Sequence, residues 1–138
     1  MAAWLLKTEP SQYSFTDLQR EGQTIWDGVS NALALKNMAR IRSGDPLFIY
    51  HTGSERAVVG TAVAAGAPFP DPNADDPRLL VMEISSGEPL PQPVPLAVVK
   101  EDPVLSQCEL VRLPRLSVVP LDEMQRRRLL ELGGLGAA

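Results

Sequence analysis

Trp26, Asp27, Gly28 and Asn31 stand together in the stretch TIWDGVSN. An indole offers a flat apolar face, a carboxylate accepts hydrogen bonds, and an amide both donates and accepts. Together they can stack on a planar ring and pair with its polar edge. The same residues can also be a tight turn and a helix cap, with the indole N–H satisfied by a carbonyl in the core. On these residues alone the core reading is the stronger one. More polar and aromatic groups lie between apolar runs in the N-terminal half: Lys7-Thr8-Glu9-Pro10, Tyr13-Ser14, Asn37, Gly44-Asp45 and Tyr50-His51. Asp27, His51 and Lys7 can serve as acid–base groups, so an enzyme or small-molecule-binding protein using one pocket is a competing expectation. Lys7 can instead pair with Glu9 or face a phosphate. Tyr13 can be only a packing residue, and Tyr50 belongs to core or pocket with similar odds.

Other chemistries are excluded by what is missing. The sequence has one cysteine, Cys108, and one histidine, His51. No disulfide can form within the chain, and a lone histidine near a strand end is more often a hydrogen-bonded structural residue than a ligand, so no metal and no cofactor are expected. Nucleophile-elbow and phosphate-loop motifs are absent. Cys108 lies in an apolar helical context, where a buried inert thiol is the expected state. The formal net charge is −4, whereas a domain that grips duplex DNA by its phosphates is usually basic. Any nucleic-acid contact must therefore be local, and Lys36, Arg40, Arg112 and Arg115 are the candidate phosphate contacts. The run Arg126-Arg127-Arg128 reads as a solvated helix face. With no bilayer-spanning run and no signal peptide at MAAWLLKTEP, a cytoplasmic monomer without membrane contact is expected.

The 138 residues suit one domain, 1–138, with a frayed tail over 133–138. AWLLK reads as a first strand, ended by Glu9-Pro10. Ser14 and Asp17 have capping-box spacing for a helix over 15–21, with Tyr13 able to pack on Leu18 and Gly22 as the stop. Asn31 can cap a second helix, ALALKNMARIR, with Ala34, Met38 and Ile41 on one face and Lys36, Asn37 and Arg40 on another. LFIYHT, RAVVGTAVAAG, RLLVMEIS and RLSVVPL read as strands, and Gly60 marks a bulge or a close backbone approach. PFPDPNADDP is a loop, GEPLPQPVPL is extended, and LDEMQRRRLLEL is an amphipathic helix. Five or six short strands with helices early and late give an α+β fold: a curled, mostly antiparallel sheet or small barrel flanked by helices.

The ordered motifs WLLKTEPSQYSFTDL, IWDGVSNALALKNM, SGDPLFIYHTG, VVGTAVA, FPDPNADDP and LSVVPL resemble the EVE domain family. The resemblance covers nearly the whole chain. It implies a PUA-like fold and, by likeness to the YTH readers, a non-catalytic nucleic-acid reader that accepts a modified base of DNA or RNA in an aromatic-walled pocket. It places Trp26 as a cage wall, with Thr8, Tyr13, Ser14 and Asn31 near it, and reverses the core reading. Asp27 would stand at the rim, and Gly28, followed by Val29, would let the backbone approach. Tyr50-His51 matches the family's Tyr-His-Ser motif, with Thr52 keeping the hydroxyl, and Phe69 matches an aromatic before the Pro-Asp-Pro loop. Ser30 stands where the family often has arginine, which removes one phosphate contact. Phe69 replaces a frequent tyrosine, and RLLVMEI lacks a tryptophan often found there.

Overall fold

A computed structural model describes residues 2–136. Among the described residues the chain forms seven strands and five helices, with four strands in succession at its centre. Strand β1 (Ala3–Thr8) lies one strand in from the edge of the sheet, parallel to β3 (Pro46–His51) and antiparallel to the edge strand β7 (Val118–Leu121). Its first four residues are all buried, as expected for a strand covered on both faces. β4 (Ala57–Ala64) pairs with β3, and β6 (Leu80–Pro95) pairs with β4. β2 (Gln23–Trp26) pairs with the first half of β6, and the two-residue β5 (Phe69–Pro70) adds to the same strand. The order β2-β6-β4-β3-β1-β7 is antiparallel everywhere except at β1–β3.

Two elements depart from the sequence expectation. The first is β2, which the sequence reading left inside a turn. It is only four residues long and half exposed, so it carries too little periodicity to detect. The second is β6, a single 16-residue strand that joins RLLVMEIS to the proline-rich stretch. Pro89, Pro91, Pro93 and Pro95 recur at every second position. Backbone donors alternate between the two edges of a strand, so all four prolines withdraw donors from one edge. β2 reaches only to Ser85, so that part of β6 is not paired with it.

Helix α1 (Phe15–Glu21) has the full capping box: Asp17 N donates to Ser14 Oγ, and Ser14 N donates to Asp17 Oδ2. Helix α2 (Ala32–Met38) is capped by Asn31 Oδ1, which accepts from Ala34 N at 3.0 Å. It stops earlier than expected, because Arg40 and Ile41 close tight turns onto Asn37 and Met38. Asn37, itself buried, donates through Nδ2 to the Val118 carbonyl and ties α2 to β7. Helices α3 (Leu96–Glu101) and α4 (Glu109–Arg112) precede β7. Helix α5 (Glu123–Gly133) packs on β6 and ends at Gly134, and Leu135 N donates back to the Leu130 carbonyl. The described part of the 133–138 tail is therefore held by a helix cap, and residues 137–138 lie outside the described residues.

The arginine run of α5 is ion-paired. Arg126 and Arg127 bind Glu123, and Arg128 donates through Nε to Oδ2 of the buried Asp102 at 2.6 Å. Asp102 Oδ1 also accepts from the Val104 and Leu105 amides. Burial pushes the Asp102 carboxyl up, but Arg128 and those amides outweigh it and hold it below its ordinary 3.8. Glu123, hydrogen-bonded to Arg126, is lowered from 4.5 to about 2. Both folded-state values lie below the unfolded ones, so the stability they contribute is present above the unfolded pKa and is lost as pH falls through the folded one. The melting temperature is expected to be flat down to roughly pH 5 and then to fall. Melts across pH will show this, and Asp102→Asn should flatten the acid decline while lowering stability at neutral pH.

Candidate functional site

A cleft of 420 Å³ opens between the end of β1, the approach to α1, and β2. Lys7 and Thr8 enter from β1. Gln12 and Tyr13 come from the turn before α1, and Thr24, Ile25 and Trp26 from β2. Asp27, Gly28 and Val29 close one side, and Ser117 the other. Trp26 is placed by the last pair of the β2–β6 ladder, opposite Met82. The chain then turns at Gly28, whose φ of 78° is left-handed backbone that suits glycine. Nothing lies within 4 Å of where a Cβ would stand, so the backbone angle and not crowding requires glycine here.

The two tryptophans differ in a way that bears on function. Trp4 is 1% exposed, and its Nε1 donates to Asp45 Oδ2 at 3.1 Å, with the Arg40 guanidinium over its ring. Its polar atom is fully used in structure. Trp26 is 7% exposed and meets the Tyr13 ring edge-on, with centroids 6.2 Å apart and planes at 82°. Its N–H has no acceptor among the described residues, yet no buried polar side-chain atom among them lacks a partner. The Trp26 N–H therefore reaches solvent, and the residue lines the cleft.

Lys7 is the second incompletely satisfied group. Its Nζ donates to the Pro114 carbonyl at 2.8 Å and lies 5.6 Å from the centroid of the Tyr50 ring. No carboxylate pairs with it among the described residues, and two of its three donors are spare. Burial pushes its pKa below the ordinary 10.5. The turn beside it is fixed: Thr8 Oγ1 donates to the Tyr13 carbonyl at 2.6 Å, and Thr52 N donates to the Thr8 carbonyl. Tyr13 OH donates to Glu21 Oε1, which anchors that ring from α1. The cleft thus offers two aromatic rings, an indole N–H, an ammonium and the exposed Asp27 carboxylate. A flat ring with a polar edge fits such a set.

Seven of the twelve expected site residues line this cleft: Lys7, Thr8, Tyr13, Trp26, Asp27, Gly28 and Val29. The other five do not. Ser14 is spent in the capping box. Asn31 caps α2 and faces a separate cavity. Tyr50 is core, paired in register with Lys7. His51 is buried; its Nε2 accepts from Phe15 N at 3.0 Å, and its Nδ1 meets Glu55 Oε1 at 2.8 Å. A backbone N–H can only donate, so Nε2 is an acceptor and the proton sits on Nδ1. Both ring nitrogens hold structure. Phe69 is exposed on β5 beside Val81 of β6. Gln12, Thr24, Ile25 and Ser117 line the cleft and escaped the sequence reading. Recognising β2 would have brought Thr24 and Ile25 to the site with Trp26.

Among the described residues, Lys36, Arg40, Arg112 and Arg115 are exposed and in no ion pair, as are Arg42, Arg56 and Lys100, whereas Arg20, Arg78 and the α5 arginines are all paired. Among the described residues, no three His, Cys, Asp or Glu side chains are grouped to hold a metal, and no helix is long and apolar enough to cross a membrane.

The sequence model of the EVE domain matches residues 2–132. This chain belongs to the EVE domain family. The solution structure of a Rhodopseudomonas palustris protein is 34% identical to this EVE domain, covers 100% of this chain and 97% of its own, and superposes with a TM-score of 0.93. A crystal structure from Agrobacterium tumefaciens is 33% identical, with coverage of 100% and 97% and a TM-score of 0.95. Human THYN1, solved in complex with DNA containing 5-methylcytosine, is 23% identical over 96% of this chain and 98% of its own, with a TM-score of 0.88. No curated protein matches significantly. The α+β, PUA-like architecture expected of an EVE domain is the one observed.

Proposed function

We propose that this EVE domain is a non-catalytic nucleic-acid reader that takes a modified base into the Trp26 cleft. The observation that carries the reading is the pairing of a solvent-reaching Trp26 N–H with an aromatic wall beside an unpaired Lys7. Stacking contributes about 1–3 kcal/mol per base, and extruding a base from a duplex costs a few kcal/mol. Stacking alone roughly balances extrusion, so edge contacts must supply the surplus. Lys7 and Trp26 can donate to ring acceptors, and Asp27 can accept from an exocyclic amine. One added methyl on the base would contribute about 1–3 kcal/mol of discrimination if the cleft fits it. Lys36, Arg40, Arg112 and Arg115 are then among the cations available to phosphates. Human THYN1 bound to DNA containing 5-methylcytosine supports the same class of ligand. The acid–base alternative is weakened because His51 lies outside the cleft with both nitrogens engaged.

Fluorescence anisotropy with single-stranded oligonucleotides, DNA and RNA, with and without one 5-methylcytosine, tests the reading. Modified strands are expected to bind more tightly, by roughly tenfold. Lys7→Met keeps the length of the side chain and should weaken binding about tenfold, since a charged donor is lost. Wild-type binding should fade as pH rises and Lys7 loses its proton, at a pH below the ordinary 10.5 of lysine. Equal affinity for every strand, unchanged by Lys7→Met, would sink the reader function.

A further inference from the structure

A second cavity, of 330 Å³, lies between the start of α2 and the loop 113–116. It adjoins the cleft through one hydrogen bond and lies close to it along the chain in two places. Lys7 lines the cleft and donates to the carbonyl of Pro114, which lines the second cavity. Ser117 lines the cleft, and its neighbour Leu116 lines the cavity. Val29 lines the cleft, and Asn31 lines the cavity. The cavity's walls are mainly apolar. Leu33 and Leu113 leave 42% and 39% of their surface in water there. Arg115 stands on the same cavity with no ion-pair partner among the described residues. An exposed apolar shelf with a free guanidinium suits a heterocycle joined to a phosphate.

We propose that this shelf is a subsite for the nucleotide next in the strand to the base in the cleft. Its base lies on Leu33 and Leu113, and its phosphate faces Arg115. The proposal rests on the reader function above. It has a consequence for the form of the ligand: a base lying on the shelf is not stacked on its neighbour, so the strand is unpaired over at least two nucleotides.

Calorimetric titration separates the shelf from the cleft. The probes are the 5-methylcytosine mononucleotide and a trinucleotide carrying that base at its centre. The trinucleotide is expected to bind about tenfold more tightly, the gain from burying apolar surface worth roughly two methylenes. Leu33→Gln and Leu113→Gln, combined with Arg115→Gln in the same protein, should abolish that gain and leave mononucleotide affinity unchanged, with thermal melts confirming the fold; Leu33→Gln with Leu113→Gln alone should remove most of it. No gain in the wild type, or a gain that survives the double substitution, overturns the shelf and leaves the cleft standing. Failure of both probes to bind overturns the reader function and the shelf with it. A concentration-dependent dimer that the double substitution dissolves would assign the shelf to a second copy of the chain and overturn the proposal.

Discussion

Trp26→Ala is expected to remove binding of a modified-base oligonucleotide and to cost about 3–5 kcal/mol of stability, the range for truncating a buried aromatic. Both losses follow from one position. The ring is 7% exposed within the hydrophobic core, ends β2 opposite Met82 and packs against the edge of Tyr13, while the residue lines the cleft. A variant that loses fold and binding together does not separate the two roles, so Trp26→Phe is the decisive partner. Phenylalanine keeps a stacking face and most of the volume, and removes the N–H together with the pyrrole half of the indole. It should cost no more than roughly 1.5 kcal/mol in denaturant unfolding. Its affinity should drop about tenfold, because an acceptor on the bound base would be left unpaired. Wild-type affinity in Trp26→Phe would show that the indole N–H makes no contact with the ligand, and would leave stacking as the ring's whole contribution.

Which parts of this site were legible follows from how local their causes are. The Ser14–Asp17 box, the Asn31 cap and the bounds of α1 depend on neighbours a few residues apart, and the sequence shows them directly. β2 depends on β6, some 60 residues away, and its own four residues carry no pattern strong enough to declare a strand. Missing β2 hid Thr24 and Ile25 and left Trp26 looking like part of a turn. His51 erred in the opposite direction. A histidine beside a tyrosine at a strand end resembles a site residue, but its ring is held by the Phe15 amide, 36 positions away, and by Glu55. The arginine run of α5 looked like a plain solvated face. Its third member in fact neutralises the buried Asp102, a partner that only tertiary folding supplies. In each case the chemistry of the residue was readable and its partner was not.

Gly60→Ala is expected to destabilise the domain by about 1–3 kcal/mol and to weaken ligand binding from outside the cleft. The reason is contact, since an added Cβ would stand 2.3 Å from Cζ of Phe15 and 2.4 Å and 2.5 Å from two other atoms of its ring. Phe15 is 4% exposed and opens α1, and its N–H is held by His51. The ring can yield only by moving the start of that helix. Tyr13, two residues earlier, would move with it, and Tyr13 walls the cleft and meets Trp26. The β4–β6 register already breaks on both sides of Gly60, so the strands show little capacity to take up the extra atom by sliding. Phe15→Leu makes room at the crowded point and provides the test. On its own it should cost stability through a lost aromatic contact. Combined with Gly60→Ala it should cost less than the sum of the two, by a coupling of about 0.5–3 kcal/mol. Denaturant unfolding of the four proteins measures that coupling. Strict additivity would mean that the strand absorbs the new Cβ without displacing the ring, and the predicted loss of binding would then have no route from Gly60 to the cleft.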